Sequence, residues 1–283
     1  MGISGWRYKP WRGIFYPRGL LQDRELEYAS RAFSTIEING TFYSLQRPES
    51  FKRWDEETPP GFVFSVKGPR YITHIRRLQD VNAPMANFFA SGIFHLGEKL
   101  GPILWQFPPN FRYDFERMKR FFELLPRDTG QALSLARHRE GRMTGRARLA
   151  IDDVRPLRYA IEIRNESFLD ESYIQLLREH NMAWVIADTA GKWPYREDVT
   201  ADFLYLRLHG DKELYASGYT DEALTRWATR IRAWREGYQP EDAHLIAPGF
   251  IPEHRPRDVY CYFDNDVKVR APFDAQKLAA ILS

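Results

Sequence analysis

Short runs along the chain alternate apolar and polar residues with period two, and the polar members gather at the run ends. In Thr35-Ile36-Glu37-Ile38-Asn39 the isoleucines share one face and Glu37 and Asn39 the other; Ala160-Ile161-Glu162-Ile163-Arg164 and Leu204-Tyr205-Leu206-Arg207-Leu208-His209 repeat the arrangement. A strand buried on both faces cannot carry such groups unless one face opens, near its end, onto a wet cavity shared by several strands. Strands are expected at Gly2 to Gly5, Thr35 to Asn39, Phe62 to Lys67, Ile103 to Phe107, Tyr159 to Arg164, Ala183 to Asp188, Phe203 to His209 and Val259 to Asp264. Amphipathic helical stretches lie between them, around Leu20 to Phe33, Glu49 to Glu57, Pro84 to Leu100, Tyr113 to Leu125, Asp170 to His180, Asp221 to Arg235 and Pro272 to Leu282, whereas the stretch after Asp188 has little helical signal.

Eight strand runs alternating with helices within 283 residues predict an α/β fold, a (β/α)8 TIM-type barrel forming a single domain over residues 1–283. The competing doubly wound sheet calls for a glycine-rich phosphate turn after the first strand, and Gly5-Trp6-Arg7-Tyr8-Lys9-Pro10-Trp11 is not one. Two stretches interrupt the rhythm as insertion-like segments: the arginine-rich 127–158 and the proline-rich 238–257. Both follow helices, which in a barrel places them on the face away from the site, and composition favours a solvated, partly disordered insertion for the basic one.

Charge narrows the partners. With 41 basic and 38 acidic residues, a net of +3, the chain does not advertise a nucleic-acid or membrane surface. The single cysteine, Cys261, sits in a strand run with helix-facing parity, which leaves no internal disulfide and a poor nucleophile. No run approaches the roughly 18 apolar residues of a membrane helix, and no signal-peptide pattern follows Met1, so a cytoplasmic protein is expected.

In a barrel the strand ends converge in one funnel, here bringing together Glu37, Lys67, Gln106, Glu162, Arg164, Asp188, Arg207, His209 and Asp264 or Asn265, with Asn39 beside Glu37. The plain interpretation is a self-satisfied ion-pair network plugging the barrel. The functional one gives Arg164 and Arg207 bidentate grip on a carboxylate or phosphate, Lys67 a point charge or a base, and proton transfer to Glu162 or Glu37 with His209. His74 follows Lys67 in a loop, and Trp6, Tyr8 and Tyr43 stand at the rim, where stacking on a sugar or base suits them; Trp11 and Phe42 read as loop anchors. His209, Glu162, Asp188 and His74 offer metal ligands, but at no diagnostic spacing and beside three cations, so no metal or cofactor is expected. A retaining glycosidase is disfavoured because strands four and seven carry Gln106 and Arg207 where carboxylates are usual.

Several motifs in fixed order carry a resemblance: Gly5-Trp6-Arg7-Tyr8 with Phe15-Tyr16-Pro17, Glu37-Ile38-Asn39 with Thr41-Phe42-Tyr43, Lys67 with Thr73-His74, Gly101-Pro102-Ile103-Leu104 with Gln106, Glu162-Ile163-Arg164, Arg207-Leu208-His209-Gly210 and Tyr262-Phe263-Asp264-Asn265-Asp266. Over nearly its whole length the chain resembles the domain of unknown function 72 family, the YecE-like proteins. The resemblance implies the (β/α)8 barrel and no reaction. Asn165 and Phe168 depart from the histidine and tryptophan common in the family after Glu-x-Arg. The leading functional expectation is acid-base chemistry on a small anionic or polyhydroxylated ligand. The alternatives are a protein that binds or processes nucleic acid, and a non-catalytic small-ligand binder.

Overall fold

The computed structural model describes residues 1–250 and 252–283. Eight parallel strands close into a barrel in sequence order: β1 (Gly2–Ser4), β2 (Thr35–Ile38), β3 (Val63–Lys67), β4 (Leu100–Gln106), β5 (Tyr159–Glu162), β6 (Ala183–Asp188), β7 (Phe203–Leu208) and β8 (Asp258–Phe263). The ring is closed by Gly2 against Tyr262 and Ile3 against Phe263. Outside it run α1 (Glu25–Ala32), α2 (Gly40–Tyr43), α3 (Pro48–Glu57), α4 (Asn82–Ala90), α5 (Phe115–Leu124), α6 (Thr129–Ala136), α7 (Glu171–Glu179), α8 (Asp221–Arg235) and α9 (Ala271–Leu282). Residues 189–202 join β6 to β7 without a helix.

Strand parity sorts the side chains into two cores. Ile3, Ile36, Phe64, Trp105, Ile161, Trp184, Leu206 and Cys261 point outward and pack under the helices, while Leu104, Ala160, Val185, Phe203, Tyr205 and Tyr262 fill the lumen. The helices start where short acceptors satisfy their open N–H groups: Asp114 accepts from Arg117 N before α5, Asp128 from Gln131 N before α6, Asp170 from Ser172 N before α7 and Thr220 from Ala223 N before α8. Each such cap contributes about 1 kcal/mol. At Gly68 the chain leaves β3 so close to Trp105 that a Cβ would lie 2.3 Å from its ring.

The basic segment departs from expectation in two respects. Residues 127–158 are tied down: α6 packs against α4, Arg148 N donates to Ala90 O at 2.8 Å, Glu140 N to Asn87 Oδ1 at 2.9 Å and Leu157 N to Arg127 O at 2.8 Å. It also climbs to the site's side of the barrel, where Arg142 lines a cleft with Tyr43, Ser44 and Leu45 from the loop after β2. An apolar stripe of Ala132, Leu133 and Ala136 behind the Asp128 cap outweighs the local arginines. Residues 238–257, Ile251 aside, brace the β6–β7 link: His244 N donates to Glu197 Oε2, and Ile246 N and Ala247 N donate to Asp198. No helix among the described residues is long and apolar enough to cross a membrane.

Candidate functional site

The lumen becomes steadily more polar toward the C-terminal strand ends. Its middle holds hydroxyls, with Thr35 Oγ1 2.8 Å from Tyr262 OH and Ser65 Oγ 2.6 Å from Tyr205 OH. Above them sits Arg207, 1% exposed and fully engaged. Its Nη1 donates to Glu162 Oε2 at 2.7 Å, its Nη2 to Glu37 Oε1 at 2.8 Å and to Asp264 Oδ2 at 2.9 Å, and its Nε to Glu37 Oε2 at 3.1 Å. Glu37 also accepts from Ser4 Oγ and, at 2.6 Å, from Tyr205 OH. Glu162 Oε1 accepts from Gln106 Nε2 at 2.7 Å and Arg164 Nε at 2.9 Å.

Burial alone would raise the Glu162 carboxyl, but Arg207, Arg164, His209 and Lys67 hold it well below the ordinary range. Asp264 follows the same logic: burial is outweighed by Arg207 and His209, and it falls to about 2. His209 is wholly buried, its Nδ1 3.1 Å from Asp264 Oδ2 but off the line of a hydrogen bond.

Over this hub opens a cavity of about 770 Å³ at the C-terminal mouth of the barrel. Trp6, Tyr8, Asn39, Tyr43, Lys67, His74, Gln106, Arg164 and Asp264 line it, and so do Arg7, Phe42, Gln46, Trp54, Arg70, Tyr215 and Asp266, which the sequence did not assign to the site. Glu37, Glu162, Arg207 and His209 lie beneath the floor. The bidentate ligand grip expected of Arg207 is therefore unavailable, because its guanidinium is already shared among three carboxylates.

Two expected lining residues face the other way. Asp188 shares the outward parity of Trp184 and Ile186 and accepts from Tyr219 OH at 3.1 Å. Asn265, adjacent to the inward Asp264, donates to Asp274 Oδ2 at 2.8 Å and to Ser217 O at 2.9 Å. Trp11 is a core anchor, 0% exposed between Tyr8, Phe15 and Tyr16. Phe42, expected only to anchor its loop, also forms cavity wall.

Among the described residues Lys67 differs from the other cations of the strand ends: 7% exposed at the end of β3, it makes no hydrogen bond or ion pair through its Nζ, which sits 4.5 Å from the centre of the Phe42 ring. Burial and then the charge of Arg207 lower its ammonium to about 8, against the pull of Glu37, Glu162 and Asp264. Next to it the His74 ring packs edge-on to Phe42; burial, Lys67 and Arg164 bring it down to about 4, which keeps it neutral at pH 7. Across the cavity Asp266 is raised to about 6 by burial and by Asp264. Arg164 lies 3.7 Å above the Trp193 ring, its Nη2 3.4 Å from Tyr215 OH. Among the described residues no three His, Cys, Asp or Glu side chains group so as to hold a metal ion.

The profile of the family described as "Protein of unknown function DUF72" matches residues 1–283. The chain belongs to that family. It is 24% identical over 246 residues to the UPF0759 protein YecE of Escherichia coli O157:H7, covering 85% of this chain and 83% of that one. It is 28% identical over 116 residues to the UPF0759 protein YunF of Bacillus subtilis strain 168, covering 39% and 40%. A DUF72 crystal structure from Thermotoga maritima superposes with a TM-score of 0.74 at 25% identity, over 99% of this chain and 97% of the other. One from Enterococcus faecalis gives 0.71 at 15% identity, over 99% and 94%. The two superposed structures share the barrel.

Proposed function

We propose that the mouth of this barrel binds a small anionic, ring-bearing or polyhydroxylated ligand and moves protons on it. The observation that carries this reading is Lys67, a buried ammonium in the cavity wall with no carboxylate of its own. A cation left unpaired in low dielectric raises the free energy of the empty site, and an incoming anion supplies the missing partner. Arg164, Arg70 and Arg7 extend the cationic wall, and Trp6, Tyr8, Phe42 and Tyr43 offer faces and edges to a ring.

Glu37 and Glu162 serve this reading as scaffold, since their oxygens are consumed by Arg207, Arg164, Gln106, Tyr205 and Ser4. Proton transfer falls to groups that face the cavity and change charge near neutrality, Lys67 and Asp266. Calorimetry with inorganic phosphate and a set of sugar phosphates tests it. Wild type should bind at least one of them, and Lys67→Met should weaken that ligand roughly 10- to 100-fold, the value of one charge-assisted contact. Equal affinity of the two proteins would refute the assignment.

A second reading, single-stranded nucleic acid as occupant, is favoured by Tyr43, 71% exposed, standing between the mouth and Arg142. It requires oligonucleotide binding that weakens steeply with salt.

A further inference from the structure

Lys67 has the surroundings of a nucleophilic amine as well as those of an anion contact. It projects from the end of β3 into a walled cavity, is 7% exposed, and makes no bond through its Nζ to any described residue. The Phe42 ring under it gives it no proton acceptor, and the like charge that acts on it, Arg207, is held in place by three carboxylates. A desolvated lysine beside another cation is the arrangement that eases loss of the ammonium proton and makes the amine available to carbonyl carbon near neutral pH.

We propose that Lys67 forms a covalent imine with a carbonyl group of the ligand, so that the substrate class of this site is anionic aldehydes or ketones. The inference rests on the anion-binding role of the cavity given above. In the step, the Nζ lone pair attacks the carbonyl carbon, the C–O π pair moves onto oxygen, and one proton passes from Nζ to that oxygen, giving a neutral carbinolamine. Nζ then loses a proton, the hydroxyl takes one and leaves as water, and the C=N bond forms; amine plus carbonyl gives imine plus water, with no oxidant or reductant.

Asp266, which lines the same cavity and sits near 6, takes up the proton that Nζ releases and returns it to the leaving hydroxyl, while His74, beside Lys67 and near 4, stays neutral and does not compete. The lowering of Lys67 to about 8 agrees with this role. Arg164 and Arg70 are then left to hold the anionic end of the substrate.

Reductive trapping tests the proposal on the intact protein. Wild type, Lys67→Met and Lys67→Arg are incubated at pH 7 with cyanoborohydride and either formaldehyde, which reports amine reactivity alone, or pyruvate, which reports the anionic carbonyl class. Adducts are mapped by peptide mass spectrometry. Lys67 should be labelled by formaldehyde roughly tenfold or more faster than the exposed Lys52 and Lys277, and pyruvate should add once, at Lys67, blocked by excess phosphate and absent from both variants. Formaldehyde labelling of Lys67 no faster than of Lys52 would overturn the imine while leaving the anion site standing if calorimetry still shows phosphate or sugar-phosphate binding. Failure of phosphate to compete for an adduct at Lys67 would instead count against the anion reading. Labelling of the surface lysines by pyruvate at equal rates in wild type and Lys67→Met would overturn the proposed substrate class.

Discussion

Replacing Arg207 by methionine removes the one group that Glu37, Glu162 and Asp264 share, and its cost can be worked out from the geometry. Glu37 and Glu162 are 0% and 1% exposed and lie 2.8 and 2.7 Å from the guanidinium. Taking one partner from a buried ion pair costs about 3–5 kcal/mol, because the charge left behind is neither solvated nor paired. Arg164 still holds Glu162 at 2.9 Å and Asp264 is 15% exposed, so the losses at three carboxylates do not sum and the total should stay within that range.

The sign with pH follows from linkage. In wild type Glu162 and Asp264 have folded pKa values below their unfolded ones, so their stabilisation is fully present above the unfolded values. For Asp264 it is lost only as pH falls from 3.8 toward about 2. In Arg207→Met burial meets less opposition, both carboxyls titrate higher, and protonation relieves the variant before it touches wild type. Urea unfolding followed by tryptophan fluorescence and circular dichroism should therefore show a gap of about 3–5 kcal/mol at pH 7 that narrows by pH 4. A gap under about 1 kcal/mol at pH 7, or one unchanged at pH 4, would refute the hub as a compensated charge cluster.

Lys67→Met should move stability the other way. The ammonium's folded pKa lies below its usual 10.5, at about 8, so its penalty is complete below pH 8 and gone above 10.5. The variant should gain about 1–3 kcal/mol at pH 7 and lose that gain by pH 10.5, as urea midpoints will report; a destabilised variant would mean Lys67 is a structural partner. Gly68→Ala places a Cβ 2.3 Å from the Trp105 ring and should cost about 1–3 kcal/mol, visible as a lowered Tm by calorimetry; an unchanged Tm would show that the β3 exit has slack. Trp11→Ala empties a wholly buried site among Tyr8, Phe15 and Tyr16 and should cost about 3–5 kcal/mol by chemical denaturation, whereas a loss below about 1 would remove Trp11 from the core.

Parity explains both what could be read from the chain and what was misplaced in reading it. Period two put Glu37, Lys67, Gln106, Glu162, Arg164 and Arg207 on lumen-facing positions, and all six converge at the C-terminal end. The same count excludes Asp188, in step with Trp184 and Ile186, and Asn265, one step from Asp264, so their outward aim was legible and was overridden by their place at strand ends. α6 was signalled too, by Asp128 and the apolar residues behind it, and was masked by the arginines around it. Tyr215, Trp54 and Gln46 lie on loops or a helix whose approach to the mouth no local pattern encodes.

Depth is the quantity the alternation does not carry, and it divides the roles at this site. Tyr205, Arg207 and His209 share one face of one chain segment, yet Arg207 is locked by three carboxylates and His209 is sealed, while Lys67, ending a strand across the barrel, reaches the open cavity. The ion-pair plug expected at the charged strand ends and the open cavity are therefore stacked rather than exclusive. The lower layer satisfies its own charges and in doing so fixes Arg207 as an immovable cation. That cation, with burial, is what lowers the Lys67 ammonium above it to about 8, within reach of deprotonation near neutral pH. A hub that merely stabilised the barrel would serve as well with Lys67 replaced by an apolar residue. The cost of retaining a desolvated, unpartnered amine at that point is the strongest physical reason to look for chemistry there.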